Sequence, residues 1–467
     1  MYIIIGIVEK RIGNLTMIKI KPPSVAGKFY TADKEELIKQ INHFTQNNRK
    51  DYEYATRAII VPHAGYYYSG QIASEGFQYL DKNVETVFVI APAHYVPVSK
   101  VALSSYDKWS TPLGEIDINQ VINDELNEKF FCDFLDEAFE SEHAVEVQIP
   151  FLQMSHKDIK IIPILIGGIE YQKITEIIDY YWNDPKNAFV ISSDLSHFHR
   201  SDIAKKIDEL TAIMIESNDV LEFTPKQGCN AHGVCSLVNF AKNKNYSLIR
   251  VDMRNSGEIT SDTSSVVGYG SWILYEGEKT EFIKSFFSDF CIDVCKKTIL
   301  IGLKGEPLPK PENLGDIPAV FEENGACFVT LEIDNNLRGC IGSIVAHRPL
   351  IEDLIKNAHN SAFSDPRFSP LSIRDFENLS IAISLLSTPT KLHFSDEADL
   401  LHQLTPNVDG LIIKDGGYQA VYLPSVWEQL PEKAMFLNSL KMKAGLDPEH
   451  FSKTFEAYKY KTEYITS

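Results

Sequence analysis

The chain reads as an α/β layered domain followed by a smaller α+β domain, and three observations carry that reading. Short apolar runs ending in turn residues recur through the first 280 residues, with helical periodicity between them. Near 275–280 (YEGEKT) a charged stretch closes this pattern. Beyond it the sequence is organised as hairpins and helices instead. At 467 residues with 44% hydrophobic composition, the chain is long enough for two or more cores.

In the first part, residues 34–44, 71–79 and 174–182 have helical spacing. Residues 57–61 (RAIIV) run into Pro62-His63-Ala64-Gly65, 84–90 (VETVFVI) into Ala91-Pro92-Ala93-His94, and 188–191 (AFVI) into Ser192-Ser193-Asp194-Leu195-Ser196-His197. A fourth run, 159–166, ends at Gly167-Gly168 without a histidine. Alternation of buried strands with helices predicts a layered sheet, whose ligands collect beyond the carboxyl ends of the strands. His63, His94 and His197 all occupy that kind of position. In the second part a helix is expected over 281–300, then a Pro- and Gly-rich loop over 305–318. Hairpins are expected over 327–343, turning at Asn335-Asn336, and over 410–423, with helices at 349–363 and 427–444. The domain limits that follow are 1–16 as an extension ahead of Met17, then 17–280 and 281–467.

Sixty-four acidic residues against 45 basic ones give a net charge of −19, which argues against nucleic acid or an anionic membrane as a partner. The apolar run 2–8 is too short to span a bilayer and has neither the basic region nor the cleavage site of a signal peptide, so the expected location is cytoplasmic. Seven cysteines without a signal peptide are expected as free thiols or metal ligands.

Imidazole is the commonest protein metal ligand, and a thiolate adds a soft donor suited to Zn, Cu(I) or Fe(II). Cys229 follows Gly228 and precedes a helical stretch, where the helix-end field favours thiolate. The competing reading of Cys229 is a small buried apolar residue, which is the reading adopted for Cys235. His143, Glu146 and Gln148 in EHAVEVQIPFL are candidates to orient ligands, or simply the polar face of a helix start. Tyr66 and Tyr67 either line the pocket or only pack.

Eight short motifs in order, AGKFY (26–30), VPHAGYYYSG (61–70), APAHYVPVS (91–99), STPLGEI (110–116), EHAVEVQIPFL (142–152), IIPILIGG (161–168), SSDLSHF (192–198) and CNAHGV (229–234), resemble the Memo family over about 22–276. Asn230 and Phe29 depart from the usual Gly and Trp. Memo proteins are similar in fold to class III extradiol dioxygenases, whose iron is held by two histidines and a carboxylate. The resemblance implies His63, His94 and Cys229 as metal ligands and His197 facing the site as acid or base. It also implies Asp194 and His143 as further catalytic candidates. A cysteine in place of the carboxylate implies one Fe(II) or Cu ion more than Zn, and redox or dioxygenase-like chemistry more than ring cleavage itself. A zinc hydrolase is disfavoured because no general-base glutamate stands in a motif such as His-Glu-x-x-His.

In the second part, LRGCIG (337–342), SAFSDPRFSPL (361–371), DGLIIKDGGYQAVYLPSVW (409–427) and LKMKAGL (440–446) resemble the AMMECR family over about 281–465. Glycines three apart in a strand mark a bulge or a close approach. Arg338, Cys340, Asp365 and Arg367 are candidate ligand residues, against a hairpin edge with a buried thiol. The five histidines of this part are scattered, so it is expected to bind and position a ligand without a reaction of its own. Together the two resemblances imply the AmmeMemoRadiSam system, with a radical S-adenosylmethionine protein as partner and a small-molecule or peptide substrate. Cys291 and Cys295 have three residues between them, the first spacing of a Cys-x3-Cys-x2-Cys cluster site, but Thr298 stands where its third cysteine would be. The expected function is therefore a two-domain metalloprotein acting as a redox or dioxygenase-like enzyme, or alternatively a non-enzymatic iron- or copper-holding or partner-binding scaffold.

Overall fold

The computed structural model describes residues 18–49, 51–218 and 224–467. The expected extension over 1–16, its apolar run and Met17 lie outside the described residues. Two compact units emerge, the first running to Asn243 with Val251–Leu274, the second comprising Lys244–Arg250 and Tyr275–Ser467. All seven cysteines are free. Among the described residues no helix is long and apolar enough to cross a membrane.

The first unit is built on α1 (Lys34–Asn47), β1 (Ala58–Val61), α2 (Tyr66–Phe77), β2 (Thr86–Pro92), β3 (Lys160–Ile166), α3 (Tyr171–Trp182), β4 (Asn187–Ser192), β5 (His197–His199), α4 (Ser201–Glu216), α5 (Ala231–Lys244) and β6 (Val266–Tyr275). Within a large mixed sheet, β3, β2, β4 and β1 run parallel in that order, and β6 pairs antiparallel with β1. Every residue of β1, β2 and β4 is buried. That is why these strands read as unbroken apolar runs and not as alternating ones. All four parallel strands therefore end at one edge, and His63, His94 and Asp194 stand two residues past β1, β2 and β4.

α2 begins five residues earlier than its periodicity predicts, at Tyr66. The tyrosine run hides the pattern, because Tyr66 turns inward, donating to the Val147 carbonyl at 2.7 Å, while Tyr67 faces solvent.

The second unit comprises α6 (Lys279–Leu303), β7 (Ala326–Ile333), β8 (Asn336–Gly342), α7 (Leu350–Phe363), β9 (Leu379–Leu386), β10 (Gly410–Asp415), β11 (Tyr418–Tyr422), α8 (Lys433–Ala444), β12 (Glu456–Tyr460) and β13 (Thr462–Thr466). One antiparallel sheet has the order β8-β7-β9-β13; in a second, β12-β10-β11 is completed by the short strand Thr390–Lys391. The first hairpin turns one residue earlier than expected. Ile333 pairs with Asn336, and Asp334 and Asn335 both have positive φ, the two-residue geometry that Asp and Asn tolerate. The helix expected over 427–444 is also divided. A 3₁₀ turn covers Pro424–Glu428, Pro431 cannot donate to a continuing helix, and α8 starts at Lys433. Trp427 instead stacks on Phe436, centroids 3.6 Å apart, in a core with Leu411, Ile413 and Leu440.

Candidate metal centre

The parallel sheet delivers His63 and His94 to its carboxyl edge, and the loop before a 3₁₀ turn at Glu146–Gln148 brings His143 between them. The donor atoms of His63, His94 and His143 lie within 4.8 Å of one another, which is the spacing of a candidate three-histidine metal site. The His94 and His143 rings stack at 4.8 Å, and His63 meets both edge-on at 5.2 and 5.4 Å. His63 is buried; burial and the neighbouring His94 push its pKa down to about 3. Burial, reinforced by His63, likewise lowers His143 to about 4. Both are therefore neutral imidazoles near pH 7, the form in which histidine binds a metal. His143 Nδ1 is buried without a hydrogen bond, although Glu142 lies 3.3 Å away.

Cys229 reaches the cluster from the start of α5. Its Sγ lies 3.2 Å from His63 Nε2 and accepts the Asp194 main-chain N–H at 3.3 Å. The helix-end field does not decide its charge: burial, with the Asp194 carboxylate nearby, pushes the thiol up. Asn230 caps α5 by accepting the Gly233 N–H, while its amide donates to the carbonyls of Ile90 and Ser192. The residue that departs from the usual Gly thus ties the cysteine's helix to two strand ends. Cys235 is buried in α5.

Asp194 accepts the His63 main-chain N–H at 2.8 Å, and burial raises its pKa. His197 is half-buried on β5 and lies outside the three-histidine group, but within electrostatic reach of His63 and Asp194. It sits at a bulge against β6, and the next residue, Phe198, has φ +60°, a strained backbone for a bulky side chain.

The 142–148 segment does more than its polar pattern announces. Gln148 donates to the Pro62 carbonyl and to Ser192 Oγ, both at 2.9 Å, directly behind His63. Glu146 faces away, accepting from Lys21, Tyr30 and the Ser24 and Val25 main chain, and so pins the segment that sets Phe29 4.4 Å from the His143 ring. Two contributors escape a reading of the sequence. Glu142 accepts from His94 Nδ1 at 2.9 Å and from its main-chain N–H at 2.8 Å, and Ser192 Oγ lies 2.9 Å from His63 Nδ1. Burial alone would raise Glu142, but its donors, the His94 imidazole foremost, hold it at about 2. Its place beside His143 was the one available signal; a partner 48 residues away leaves no local pattern.

In the second unit, Cys340, Asp365 and Arg367 form one cluster. Asp365 accepts the Cys340 N–H at 2.9 Å and both the main-chain and side-chain N–H groups of Arg367, and Arg367 also donates to the Cys340 carbonyl. Arg338 is the extra residue of a bulge opposite Leu331/Glu332; it donates to the Pro370 carbonyl and shares the Phe368 ring with Arg367. Gly339 is required there, because a Cβ would meet the Ser361 carbonyl oxygen at 2.1 Å.

Residues 21–273 match the Memo-like protein family and residues 292–465 match AMMECR1. A MEMO1 family protein of Methanobrevibacter smithii is 33% identical over 284 residues, 55% of this chain and 99% of its own length. The Protein memo-1 homolog of Caenorhabditis elegans is 30% identical over 286 residues, 54% of this chain and 81% of its own. Among solved structures, an uncharacterized protein from Pyrococcus horikoshii is 32% identical, covering 38% of this chain and 88% of its own, with a TM-score of 0.35.

Proposed function

Since the chain belongs to the Memo family and carries an AMMECR1 segment behind it, we propose that its first unit is a redox or dioxygenase-like metalloenzyme acting on a small-molecule or peptide substrate. The observation that carries this reading is the convergence of three imidazoles within 4.8 Å, with the Cys229 sulfur touching one of them. Imidazole and thiolate donors suit zinc, copper and iron alike, and iron or copper is preferred because zinc has no redox chemistry to supply. A bound ion of this kind would supply Lewis-acid and one-electron chemistry.

The chain's own residues then have distinct tasks. His63 and His94 hold the ion, with His143 and Cys229 as the further donors. Asp194 fixes the loop after β1 through the His63 N–H. Phe29 packs against the His143 ring, centroids 4.4 Å apart, and restrains its position. His197, outside the donor group, holds or moves a proton at its imidazole nitrogen. In the second unit the Arg338, Cys340, Asp365 and Arg367 patch serves an anionic or peptide ligand, and a radical S-adenosylmethionine protein is the expected partner.

Anaerobic purification of the full chain with metal analysis, followed by O2 uptake with catechols and with peptides, tests the reading. Iron or copper in the purified chain and substrate-dependent uptake are expected. His197→Ala should keep the metal and lose turnover, whereas His94→Ala loses both. Metal retention without uptake under any condition would leave a metal-holding scaffold; absence of metal would overturn the site.

A further inference from the structure

Which nitrogen of each histidine is free to bind follows from counting protons behind the rings. The Pro62 carbonyl can only accept, so the Gln148 amide nitrogen points to it, and the same nitrogen donates to Ser192 Oγ. Ser192 has one hydroxyl proton, and the Ala144 carbonyl, 2.7 Å away and also only an acceptor, takes it. What remains on Ser192 Oγ is a lone pair, aimed at His63 Nδ1 at 2.9 Å. His63 must therefore carry its proton on Nδ1, which leaves the Nε2 lone pair facing Cys229 Sγ.

His94 is constrained in the same sense by a different group. Glu142 Oε1 already accepts the main-chain N–H groups of His143 and Ala144, at 2.9 and 3.0 Å, and Oε2 accepts that of His94. Both oxygens are committed as acceptors, so His94 Nδ1, 2.9 Å from Oε1, is the donor and Nε2 is left free. Apart from the Pro62 carbonyl that orients Gln148, both chains of bonds trace to one stretch, Glu142, Ala144 and Gln148, with Ser192 as relay. His63 is buried and His94 exposed, but Ser192 and Glu142, the groups that hold their Nδ1 atoms, are both buried.

We propose that Glu142 and Ser192 are positioning residues that lock His94 and His63 as Nδ1–H tautomers, so that both present Nε2 to the metal before it arrives. The inference deepens the metal-site reading above and rests on it for its purpose, but the tautomers themselves are a property of the metal-free chain. Such partners behind metal-binding histidines change affinity by about 10–100-fold when removed.

The test is ¹⁵N-histidine NMR of the metal-free full chain, with the two rings assigned by their loss in His63→Gln and His94→Gln, alongside Co(II) titration. Wild type should show Nδ1–H for both rings. Ser192→Ala should release His63 to a tautomer mixture, Glu142→Ala should release His94, and each should weaken Co(II) binding about 10–100-fold. Glu142→Gln should keep the His94 tautomer, because its amide oxygen still accepts from Nδ1. A role confined to stability would leave both tautomers unmoved in every variant. An Nε2–H form of either ring in wild type, or tautomers unchanged in Ser192→Ala and Glu142→Ala, overturns the inference. Nδ1–H rings in a wild-type chain that takes up no Co(II) would sustain the inference and contradict the metal reading instead.

Discussion

Glu142 in the first unit and Asp365 in the second are both buried carboxylates that accept main-chain N–H groups, yet their remaining partners differ. Among the described residues Glu142 has no lysine or arginine partner, and its side-chain donor is the His94 imidazole. Asp365 is gripped by Arg367, whose guanidinium bonds hold its carboxyl well below the usual carboxylate range. The first cluster ends in ring nitrogens and a sulfur that face one another, one of them, His143 Nδ1, without a hydrogen bond. The second closes on itself, with the lone pairs of Asp365 taken up by Cys340 and Arg367. Similar residue types can thus build a cluster whose ring nitrogens could hold a cation, or one whose carboxylate is already taken by a guanidinium that still reaches solvent.

The largest expected effect separates the two clusters. His94→Ala should weaken Co(II) binding by more than about a hundredfold, roughly 3 kcal/mol, while Arg367→Ala leaves it unchanged in the same titration. Next, Asp365→Ala should cost about 2 kcal/mol in urea unfolding of the second unit, because the Cys340 N–H and the guanidinium lose their acceptor together. Since the folded pKa of Asp365 is lowered, its contribution is complete above the ordinary Asp range and fades as pH falls through the folded value. The gap between wild type and Asp365→Asn should therefore narrow in acid.

A carboxyl group shifted in the opposite direction sharpens the contrast. Glu75 in α2 is raised to about 7 by burial, with Asp252 adding to it, against the Arg49 main-chain N–H that lowers it. Its neutral form is the one the fold favours, so stability is complete below the ordinary Glu range and declines as pH rises through about 7. Glu75→Gln should gain on wild type by about 1 kcal/mol between about pH 5 and 7, measured by thermal unfolding. The smallest effect is expected at Arg338. With Nη1 unpaired, one bond to Pro370 at 3.3 Å and Asp375 3.5 Å away, Arg338→Ala should change stability by about 0.5 kcal/mol or less.

Those parts of the site carried by strand ends were legible in the sequence, because a buried parallel strand announces itself as an apolar run and its last residue fixes where the next side chain goes. His63 and His94 were located in this way, whereas His197, expected as a third strand-end histidine, lies on the separate short strand β5, and the two-part architecture followed from the change near residue 275. Glu142 and Ser192 were not, since their partners are 48 and 129 residues distant and only the folded sheet brings them together. The environment of Cys229 was not legible for a related reason: its helix position is local, while the burial that pushes its thiol up is not. In the second unit the paired glycines correctly marked a close approach, at Gly339 against Ser361. What Asp365 does there was invisible, because a carboxylate two residues from an arginine reads identically whether it binds a ligand or its neighbour.

Equilibrium titration of the metal-free full chain with Co(II), read by calorimetry and by the visible spectrum, decides whether the histidine cluster is a metal site. One ion should bind per chain, be retained in Arg367→Ala and be lost when His63 and His94 are both replaced by Ala. No binding to the wild-type chain, or binding that survives the double replacement, would contradict that assignment.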